Sequence, residues 1–267
     1  MAQSWLRPLY RLYERRLQAS LAPARRPGHI GIILDGHRRF ARSAGLSDYA
    51  ASYRTGMDKF REFLGWCHEL SVPAVTAWVL STENLDRPAE ELDPYLDVLI
   101  DLFERLPADA QRLGFSVRVI GSLDVLPAPL VAAAKEAQAA CVARTPGSAC
   151  PEGSWQLTIA LGYGGRQEVV DACRSLVADL VAQGVPPDEL AGRIDEASVS
   201  ANMYTADLPD PDLVIRTSGE ARLSGFLLWQ AAYAEYVFVD PFWPAFRRVD
   251  FLRALRDYAR RDRRFGL

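Results

Sequence analysis

The sequence lacks the features that mark several common protein classes. Its four cysteines, Cys67, Cys141, Cys150 and Cys173, form no Cys-x-x-Cys pair, which argues against a zinc site and against a disulfide framework. No apolar run is long enough to span a bilayer, and arginines and tyrosines interrupt the N-terminus where a signal peptide needs an unbroken apolar stretch. These absences predict a soluble protein of the reducing cytoplasm.

Familiar signatures of nucleotide and ester chemistry are missing as well. The chain has no Gly-x-Gly-x-x-Gly sequence, no Walker sequence and no nucleophile elbow, so a generic phosphate-binding α/β hydrolase is only a distant alternative. The net charge of −3 argues against the binding of bulk nucleic acid, which usually needs a basic surface.

The composition is that of a globular protein with a real core. The 267 residues are 49% hydrophobic and 24% charged, which suits one large α/β domain or two small ones. Pro, Gly and Ser cluster in residues 145–153, a stretch that we interpret as a surface loop because strand and helix patterns resume on both sides. We therefore expect a basic N-terminal segment, residues 1–28, followed by one domain, residues 29–267.

Short apolar runs alternate with helical periodicity along this domain. The pattern predicts the α/β class, with a central, mostly parallel six-stranded sheet flanked by helices. The expected strands are residues 29–34, 74–80, 116–120, 156–161, 213–216 and 236–239. Apolar residues at helical spacing predict helices around residues 57–67, 96–103, 169–180 and 251–258.

A further helix is expected in residues 5–21, where apolar residues recur at near-helical spacing. The N-terminal segment holds six arginines against the single acid Glu14. Such a basic amphipathic helix either packs on the body of the protein or makes peripheral contact with anionic lipid at the inner face of the membrane. Packing is the more common outcome and is slightly preferred, while lipid contact stays open.

Polar clusters follow four of the predicted strands at the points where the strands end. They are residues 35–39 (DGHRR), 81–87 (STENLDR), 162–166 (GYGGR) and 216–224 (RTSGEARLS). Because ligands of open parallel sheets bind in the crevice beyond the carboxyl ends of the strands, we expect these clusters to share one crevice.

The residue types in these clusters indicate a phosphate ligand bound with magnesium. Asp35 would hold the metal, Gly36 would let the backbone approach, and the arginines that follow would clamp phosphate oxygens in pairs. Gly36 also precedes a predicted helix start, where free amide groups favour an anion. Arg216, Arg222 and Ser224 supply a second set of donors. Two anion sites with a metal between them suggest two phosphorylated substrates or a diphosphate.

Each of these features alone has a simpler interpretation. One arginine after a strand is usually a solvated charge, and an Asp-Gly pair alone is most often a turn. His29 is better explained as a structural residue, and the tryptophans Trp78, Trp229 and Trp243 as core or interface residues. It is the combination of clusters at four strand ends that favours a functional site.

Segments of the chain resemble, in order, the five motifs of the cis-prenyltransferases, the undecaprenyl diphosphate synthase superfamily. They are residues 29–41 (HIGIILDGHRRFA), 80–85 (LSTENL), 162–166 (GYGGR), 210–230 (DPDLVIRTSGEARLSGFLLWQ), and 233–235 (YAE) with Trp243-Pro244. The resemblance implies the fold of that family, a homodimer with Trp229 and Tyr233 as interface candidates, and magnesium-dependent transfer of a prenyl group.

The resemblance also implies roles for single residues. It makes Asp35 the Mg²⁺ ligand on which catalysis depends, with Glu235 assisting the metal, and it places Ser81 and Asn84 near the reacting carbons. The substrate-binding positions for the allylic prenyl diphosphate are Gly36, His37, Arg38, Arg39 and Arg87. Those for isopentenyl diphosphate are Arg216, Arg222 and Ser224, and Gly56 matches a family glycine that opens the following helix.

The implied reaction is an alkyl transfer. The allylic carbon–oxygen bond ionises, the double bond of isopentenyl diphosphate attacks the cation-like carbon, and loss of a proton gives a cis double bond. Magnesium and arginine would stabilise the charge that develops on the leaving diphosphate, and apolar walls would keep water from the cation. The absence of any Asp-Asp-x-x-Asp sequence argues against the all-helical trans-prenyltransferases.

Three departures from the family pattern lie at the allylic site. His37 stands where asparagine is usual, Arg38 where long-chain members often have glycine, and Tyr53 where histidine is usual. The bulky residues 78–80 (WVL) stand where long-chain relatives carry smaller ones, and the chain resembles the short-chain branch of actinobacterial Z,E-farnesyl diphosphate synthases. We therefore expect one condensation onto geranyl diphosphate, unless residues 78–80 face the helices and say nothing about length.

Three alternatives stay open beside this expectation. They are a longer-chain polyprenyl diphosphate synthase, an enzyme of irregular coupling that joins two allylic diphosphates, and a non-catalytic prenyltransferase-like subunit. The last would be expected to lack the metal aspartate or the arginine clamp, and Asp35, Arg39, Arg216 and Arg222 are all present.

Overall fold

A six-stranded parallel sheet forms the centre of the protein. The structure is a computed structural model that describes residues 7–21, 26–141 and 155–261. Its strands are β1 (His29–Ile33), β2 (Ala74–Ser81), β3 (Phe115–Ile120), β4 (Trp155–Tyr163), β5 (Leu213–Arg216) and β6 (Glu235–Phe238). They lie in the order β3-β4-β2-β1-β5-β6, and each neighbouring pair is parallel. The fold class and the six expected strands are confirmed, with strand ends shifted by at most two residues.

The central strands are buried throughout because helices and loops cover both faces of the sheet. Every residue of β1, β2 and β5 is buried, which is the pattern of parallel strands in α/β proteins. Ile30 and Ile32 of β1 belong to the larger core, whereas Ile33 joins Trp78 and Val214 in a smaller core.

Eight helices accompany the sheet in the described part of the chain. They are α1 (Arg7–Ser20), α2 (His37–Ser43), α3 (Tyr49–Glu69), α4 (Ala89–Leu113), α5 (Ala128–Ala140), α6 (Gly165–Ala182), α7 (Glu196–Ser200) and α8 (Arg248–Arg260). The helical patterns found in the sequence correspond to α1, α3, α4, α6 and α8. Helix α5 was not predicted from the sequence. It is rich in alanine and buries only Leu130, Ala134 and Ala137, so it shows few large apolar residues at helical spacing.

The expected position of Gly56 at a helix start is wrong. Gly56 lies inside α3, which begins at Tyr49. Asp48 caps this helix by accepting a hydrogen bond from the Ala51 N–H at 2.9 Å, and an acidic N-cap of this kind is a common start signal. The reason for a glycine at position 56 lies in the candidate site described below.

Helix α1 packs against α8 and covers part of the larger core. Leu17 and Leu21 are buried, and Arg248 of α8 donates a hydrogen bond to the Gln18 side chain at 3.1 Å. Tyr10 and Leu12 stay exposed. The packing role is therefore seen for one side of this helix, while lipid contact through the other side stays a prediction.

Several sequence features lie outside the described residues, among them the expected loop at residues 145–153, Cys150, and the first residues of the N-terminal pattern. Within the described ranges, no helix is both long enough and apolar enough to cross a membrane.

His29 holds the start of β1 in place, in agreement with the structural role expected for it. Its ring is buried, with Nδ1 2.7 Å from the Pro209 carbonyl oxygen and Nε2 2.8 Å from Thr76 Oγ1. Burial lowers the pKa of His29, against the opposing influence of the Pro209 carbonyl and of Asp212. The folded protein therefore holds this ring neutral at a pH where the unfolded chain already binds a proton.

This shift predicts that the protein loses stability as the pH falls below about 6.5, the ordinary histidine pKa. Below that value the unfolded chain binds more protons than the folded one, until the folded-state pKa is reached. Urea unfolding between pH 7.5 and pH 5 should show the decline, and His29→Gln should make the pH slope shallower while itself costing about 1–3 kcal/mol of stability. Burial lowers the pKa of His37 to about 4, so part of the slope should remain. An unchanged slope in the variant would contradict the assignment.

Candidate functional site

A cleft of about 690 Å³ opens at the carboxyl edge of the sheet. Three of the four polar clusters found in the sequence meet there; the fourth, after β4, does not line it. The lining residues that sequence analysis named as site candidates are Asp35, Gly36, His37, Arg38, Arg39, Ser81, Asn84, Arg87, Arg216, Arg222 and Ser224. The strand ends thus bring together residues from both halves of the chain.

Asp35 lies two residues after the end of β1, and hydrogen bonds to its backbone hold it in place. Its N–H donates to Thr217 Oγ1 at 3.0 Å, the Thr217 hydroxyl donates back to its carbonyl at 2.8 Å, and the N–H of Trp243 donates to the same carbonyl at 2.9 Å. These contacts tie the end of β1 to the end of β5 and to the segment before α8. The carboxylate is therefore aimed by three separate parts of the chain.

The carboxylate of Asp35 is ionised and faces two arginines. Arg216 Nη2 donates to Oδ2 at 2.7 Å, and Arg39 Nη2 donates to Oδ1 at 3.3 Å. Burial by itself would raise the pKa of Asp35, but the hydrogen bond and charge of Arg216, together with Ser218 and Arg39, hold that pKa below its ordinary value. An anionic oxygen ligand is therefore available at neutral pH.

Gly36 lets the chain turn from Asp35 into α2. Its φ of 105° is left-handed, and a Cβ at this position would lie 2.8 Å from Cδ1 of Phe242. Only glycine meets both conditions without strain. The predicted helix start after Gly36 is confirmed by α2, which places Arg38 and Arg39 in the cleft.

Arg39 links the aspartate to a second acidic side chain. Its Nη1 donates to Glu220 Oε1 at 2.6 Å, and its Nη2 donates to Ser218 Oγ at 2.8 Å. Glu220 also pairs with Arg222 at 2.6 Å. Glu220 was not predicted as a site residue, although it lies in the motif of residues 210–230.

Arg216 is the buried cation of the site. Its side chain is 6% exposed, and Nη1 donates to the Arg222 carbonyl oxygen at 2.5 Å and to Ser224 Oγ at 2.8 Å. Its Nε is buried and has no hydrogen-bond partner within the described residues. Arg216 lines the cleft, so its positive charge is available to an anion that binds there.

The second motif builds a chain of polar contacts on the opposite wall. Asn84 donates to Ser81 Oγ at 2.8 Å, and Arg87 donates to Asn84 Oδ1 at 2.9 Å. Glu91 lies 3.7 Å from Arg87 Nε and 3.4 Å from Arg38 Nη1. Glu91 was missed by the sequence analysis, although its spacing of four residues after Arg87 is the helical ion-pair spacing.

His37 lines the cleft and packs into a cluster of rings. Its ring centroid lies 5.4 Å from that of Tyr53 and 6.3 Å from that of Tyr95. Its Nδ1 lies 3.4 Å from the Ser52 carbonyl oxygen, and its Nε2 has no partner within the described residues. A Cβ at Gly56 would come within 2.0 Å of the His37 ring, which explains the glycine in the middle of α3.

Glu235 is absent from the cleft. It begins β6, pairs with Arg261, and stands in register with Leu213 at the start of β5. Asp35 lies beyond the other end of the sheet, next to Arg216 at the end of β5. The expected pairing of Asp35 and Glu235 at one metal is therefore not formed within a single chain.

The remaining groups fit a magnesium ion that binds together with a diphosphate. No cluster of three or more metal-ligating His, Cys, Asp or Glu side chains occurs in the described ranges. Mg²⁺ is commonly held by one or two carboxylates and completed by substrate phosphates and water. An ionised Asp35 beside phosphate-binding arginines suits that arrangement and does not suit a closed all-protein cage.

The known proteins that this chain resembles are prenyl diphosphate synthases, which agrees with a cleft that suits diphosphates. Residues 33–266 match the family model described as putative undecaprenyl diphosphate synthase. The chain is 49% identical to a (2Z,6E)-farnesyl diphosphate synthase of Thermobifida fusca (strain YX), over 97% of both chains. It is 47% identical to a short-chain Z-isoprenyl diphosphate synthase of Mycobacterium bovis, over 97% of this chain and 96% of that one. A crystal structure of lavandulyl diphosphate synthase from Lavandula x intermedia in complex with dimethylallyl diphosphate superposes with a TM-score of 0.80 at 31% identity, covering 91% of this chain and 100% of that chain.

Proposed function

The chain belongs to the undecaprenyl diphosphate synthase family, and from that premise we propose that it condenses isopentenyl diphosphate with geranyl diphosphate to give (2Z,6E)-farnesyl diphosphate. The family and the class of enzyme, a prenyl-transferring synthase, agree with the expectation from sequence. The product is taken from the short-chain relatives that match nearly the whole chain.

The observation that carries the proposal is one ionised aspartate between two groups of arginines in a single cleft. Arg38 and Arg39 enter from α2 and Arg87 from the turn after β2, whereas Arg216 enters from the end of β5 and Arg222 from the turn that follows. Arginine binds phosphate oxygens in pairs, so each group suits one diphosphate. Two diphosphate substrates on either side of Asp35 account for both groups.

The two substrates would bind in the places that the free donors indicate. Gly36, Arg38, Arg39 and Arg87 would hold the allylic diphosphate, because the side chains of Arg38 and Arg39 are 49% and 38% exposed and can reorient toward it. A second site, made by Arg216, Arg222 and Ser224, would hold isopentenyl diphosphate. The positive charges of Arg216 and Arg222, which both line the cleft, favour an anion at this second site.

The reaction then needs charge stabilisation more than proton transfer. The allylic carbon–oxygen bond breaks and its electron pair leaves with the diphosphate, the double bond of isopentenyl diphosphate forms the new carbon–carbon bond, and a proton is lost to restore a double bond. The arginines stabilise the leaving diphosphate by donating hydrogen bonds to its oxygens. Magnesium, held by Asp35, would supply further positive charge to the same diphosphate. Ser81 and Asn84, joined by their hydrogen bond, would orient the groups around the reacting carbons.

The wall of the cleft suits a short prenyl chain. Trp78, Val79 and Leu80 all line it, so the bulky end of β2 faces the cavity and not only the helices. Phe226 stacks on Trp78 at a centroid distance of 5.3 Å. Trp78, supported by Phe226 from behind, offers an apolar surface that would keep water from an allylic cation.

A second copy of the chain is proposed to bind near the fourth and fifth motifs. Tyr233 is 75% exposed and Leu228 is 38% exposed, and large exposed apolar residues mark interaction surfaces when they cluster. Trp229 donates a hydrogen bond to Ser200 within its own chain at 2.8 Å, which leaves Tyr233 as the stronger interface candidate.

The proposal is tested by product analysis. Purified protein receives magnesium and labelled isopentenyl diphosphate with dimethylallyl, geranyl or farnesyl diphosphate in separate reactions, and the dephosphorylated products are separated by length and double-bond geometry. We expect a single cis addition to geranyl diphosphate. Long polyprenols would overturn the short-chain assignment and leave the family intact.

The structural likeness to lavandulyl diphosphate synthase makes irregular coupling the second candidate. That reaction joins two allylic diphosphates and needs no isopentenyl diphosphate. Incubation with dimethylallyl diphosphate alone separates the two candidates, because a coupled product would favour the second and its absence the first. Failure of every substrate combination would favour a non-catalytic subunit.

A further inference from the structure

Three packed rings line one part of the cleft. This ring cluster consists of His37 from α2, Tyr53 from α3 and Tyr95 from α4, with the two tyrosine rings 4.5 Å apart. Tyr53 is 1% exposed and Tyr95 is 3% exposed, yet both line the cleft. The cluster therefore presents a solid aromatic surface to the inside of the cavity.

A second cavity lies farther along the same two helices, α3 and α4. It measures about 180 Å³ and sits between α3 and α4, with buried Met57, Val98 and Leu102 among its lining residues and charged side chains around them. Met57 and Val98 each lie about one helical turn beyond the tyrosine of the same helix. Successive turns of α3 and α4, and thus the groove between them, line first one cavity and then the other, with Tyr53 and Tyr95 on the turns that line the first.

Tyr95 is fastened in this position by the backbone of β2. Its hydroxyl donates to the carbonyl oxygen of Val79. The pairing of β2 with β4 shifts register between Trp78 and Leu80, and such a bulge leaves one residue outside the regular ladder. The irregular end of β2 therefore offers Tyr95 a carbonyl that holds its ring across the groove.

We propose that Tyr95, packed against Tyr53 and His37, is the end wall of the prenyl cavity and limits the length of the product. The inference rests on the proposed function, since it assumes that the apolar end of the cleft receives the growing chain. Each further condensation would push one more isoprene unit toward the two tyrosines. Elongation stops because the ring cluster fills the path along the groove into the second cavity.

The test compares Tyr95→Ala with Tyr95→Phe under excess isopentenyl diphosphate. Alanine removes the ring and joins the two cavities, so products longer than the main wild-type product by one or more isoprene units should rise at least about tenfold as a fraction of the total. Phenylalanine keeps the ring and loses only the hydrogen bond to Val79, and its product length should match the wild type. Val98→Ala is the matched control, because it enlarges the second cavity without opening the wall and should leave product length unchanged.

A binding measurement tests the wall without any catalysis. Saturated, unreactive alkyl diphosphates of geranyl and geranylgeranyl length are titrated calorimetrically into wild type and variants. Wild type should prefer the shorter chain, and Tyr95→Ala should reduce that preference about tenfold or more. If the wild-type protein condenses none of the substrates, the proposed function fails. The titration still shows whether Tyr95 limits the length of the bound prenyl chain.

Loss of folding would not leave the question open. Should Tyr95→Ala fail to unfold cooperatively, Tyr95→Leu keeps more of the buried surface and should give a smaller shift in the same direction. A folded Tyr95→Ala or Tyr95→Leu variant with the product length and chain-length preference of the wild type would overturn the proposal.

Discussion

Replacing Asp35 with alanine is expected to lower kcat/KM for the condensation about a thousandfold or more. The carboxylate is kept ionised by Arg216 and Arg39, and it is the anionic oxygen donor that the structure places between the two groups of arginines. Its loss removes the proposed metal ligand and the positive charge that the metal brings to the leaving diphosphate. Steady-state product formation at saturating magnesium measures the effect.

Two controls separate chemistry from folding in this experiment. Asp35→Asn keeps the size of the side chain but not its charge, and it should lose nearly as much activity as the alanine variant. Glu83→Gln removes one negative charge elsewhere in the same cleft and should change kcat/KM by no more than about threefold. Residual activity within tenfold of wild type in both Asp35 variants would contradict the proposed role.

A binding readout adds evidence that a merely structural role for Asp35 would not produce. Magnesium should tighten the binding of an unreactive allylic diphosphate analogue to the wild-type protein, and this gain should vanish in Asp35→Asn. If magnesium tightens binding equally in both proteins, the metal ligand lies elsewhere.

The meeting of Asp35 and Arg216 was predictable from sequence, although 181 residues separate them. Each ends or follows a continuous apolar run, and such runs become neighbouring buried strands in a parallel sheet. The structure pairs β1 with β5 and places Ile33 in register with Arg216. Periodicity and strand-end position therefore suffice to bring these charges together, without any knowledge of side-chain packing.

The acidic side chains that pair with the arginines could not be predicted from periodicity and strand-end position. Glu91 on α4 and Glu220 after β5 hold Arg38, Arg39 and Arg222 in the cleft. Which acid reaches which arginine depends on side-chain rotamers and on how α2 and α4 approach each other, and neither follows from the spacing of residues. The ring cluster belongs to the same class of feature, because it is built from three different helices.

Glu235 and Asp35 do not meet within one chain, and the topology of the sheet explains why. Residues at the start of a parallel strand lie at the edge of the sheet opposite to residues that follow a strand. Glu235 starts β6, and Asp35 follows β1. A shared motif indicates that both residues matter to the family, but it does not indicate at which edge of the sheet each one lies.

Arg216→Lys is expected to lower kcat/KM for isopentenyl diphosphate about a hundredfold, through a rise in KM as well as a fall in kcat. The guanidinium binds Asp35, the Arg222 carbonyl and Ser224 at once and still has its Nε free. A lysine ammonium keeps the charge but cannot reproduce this planar set of donors. Arg112→Lys, a change in an arginine that is 59% exposed and paired with Asp109, is the matched control and should leave kinetics unchanged.

Combination with Asp35→Asn shows whether the two residues work as one unit. Groups that act together lose much less in the double variant than the product of the single losses. We therefore expect the double variant Asp35→Asn/Arg216→Lys to be little less active than Asp35→Asn alone. In the single variant Arg216→Lys, the KM for isopentenyl diphosphate should rise more than the KM for geranyl diphosphate. Fully multiplicative losses, or an equal rise in both KM values, would show that Arg216 does not serve the isopentenyl site through its contact with Asp35.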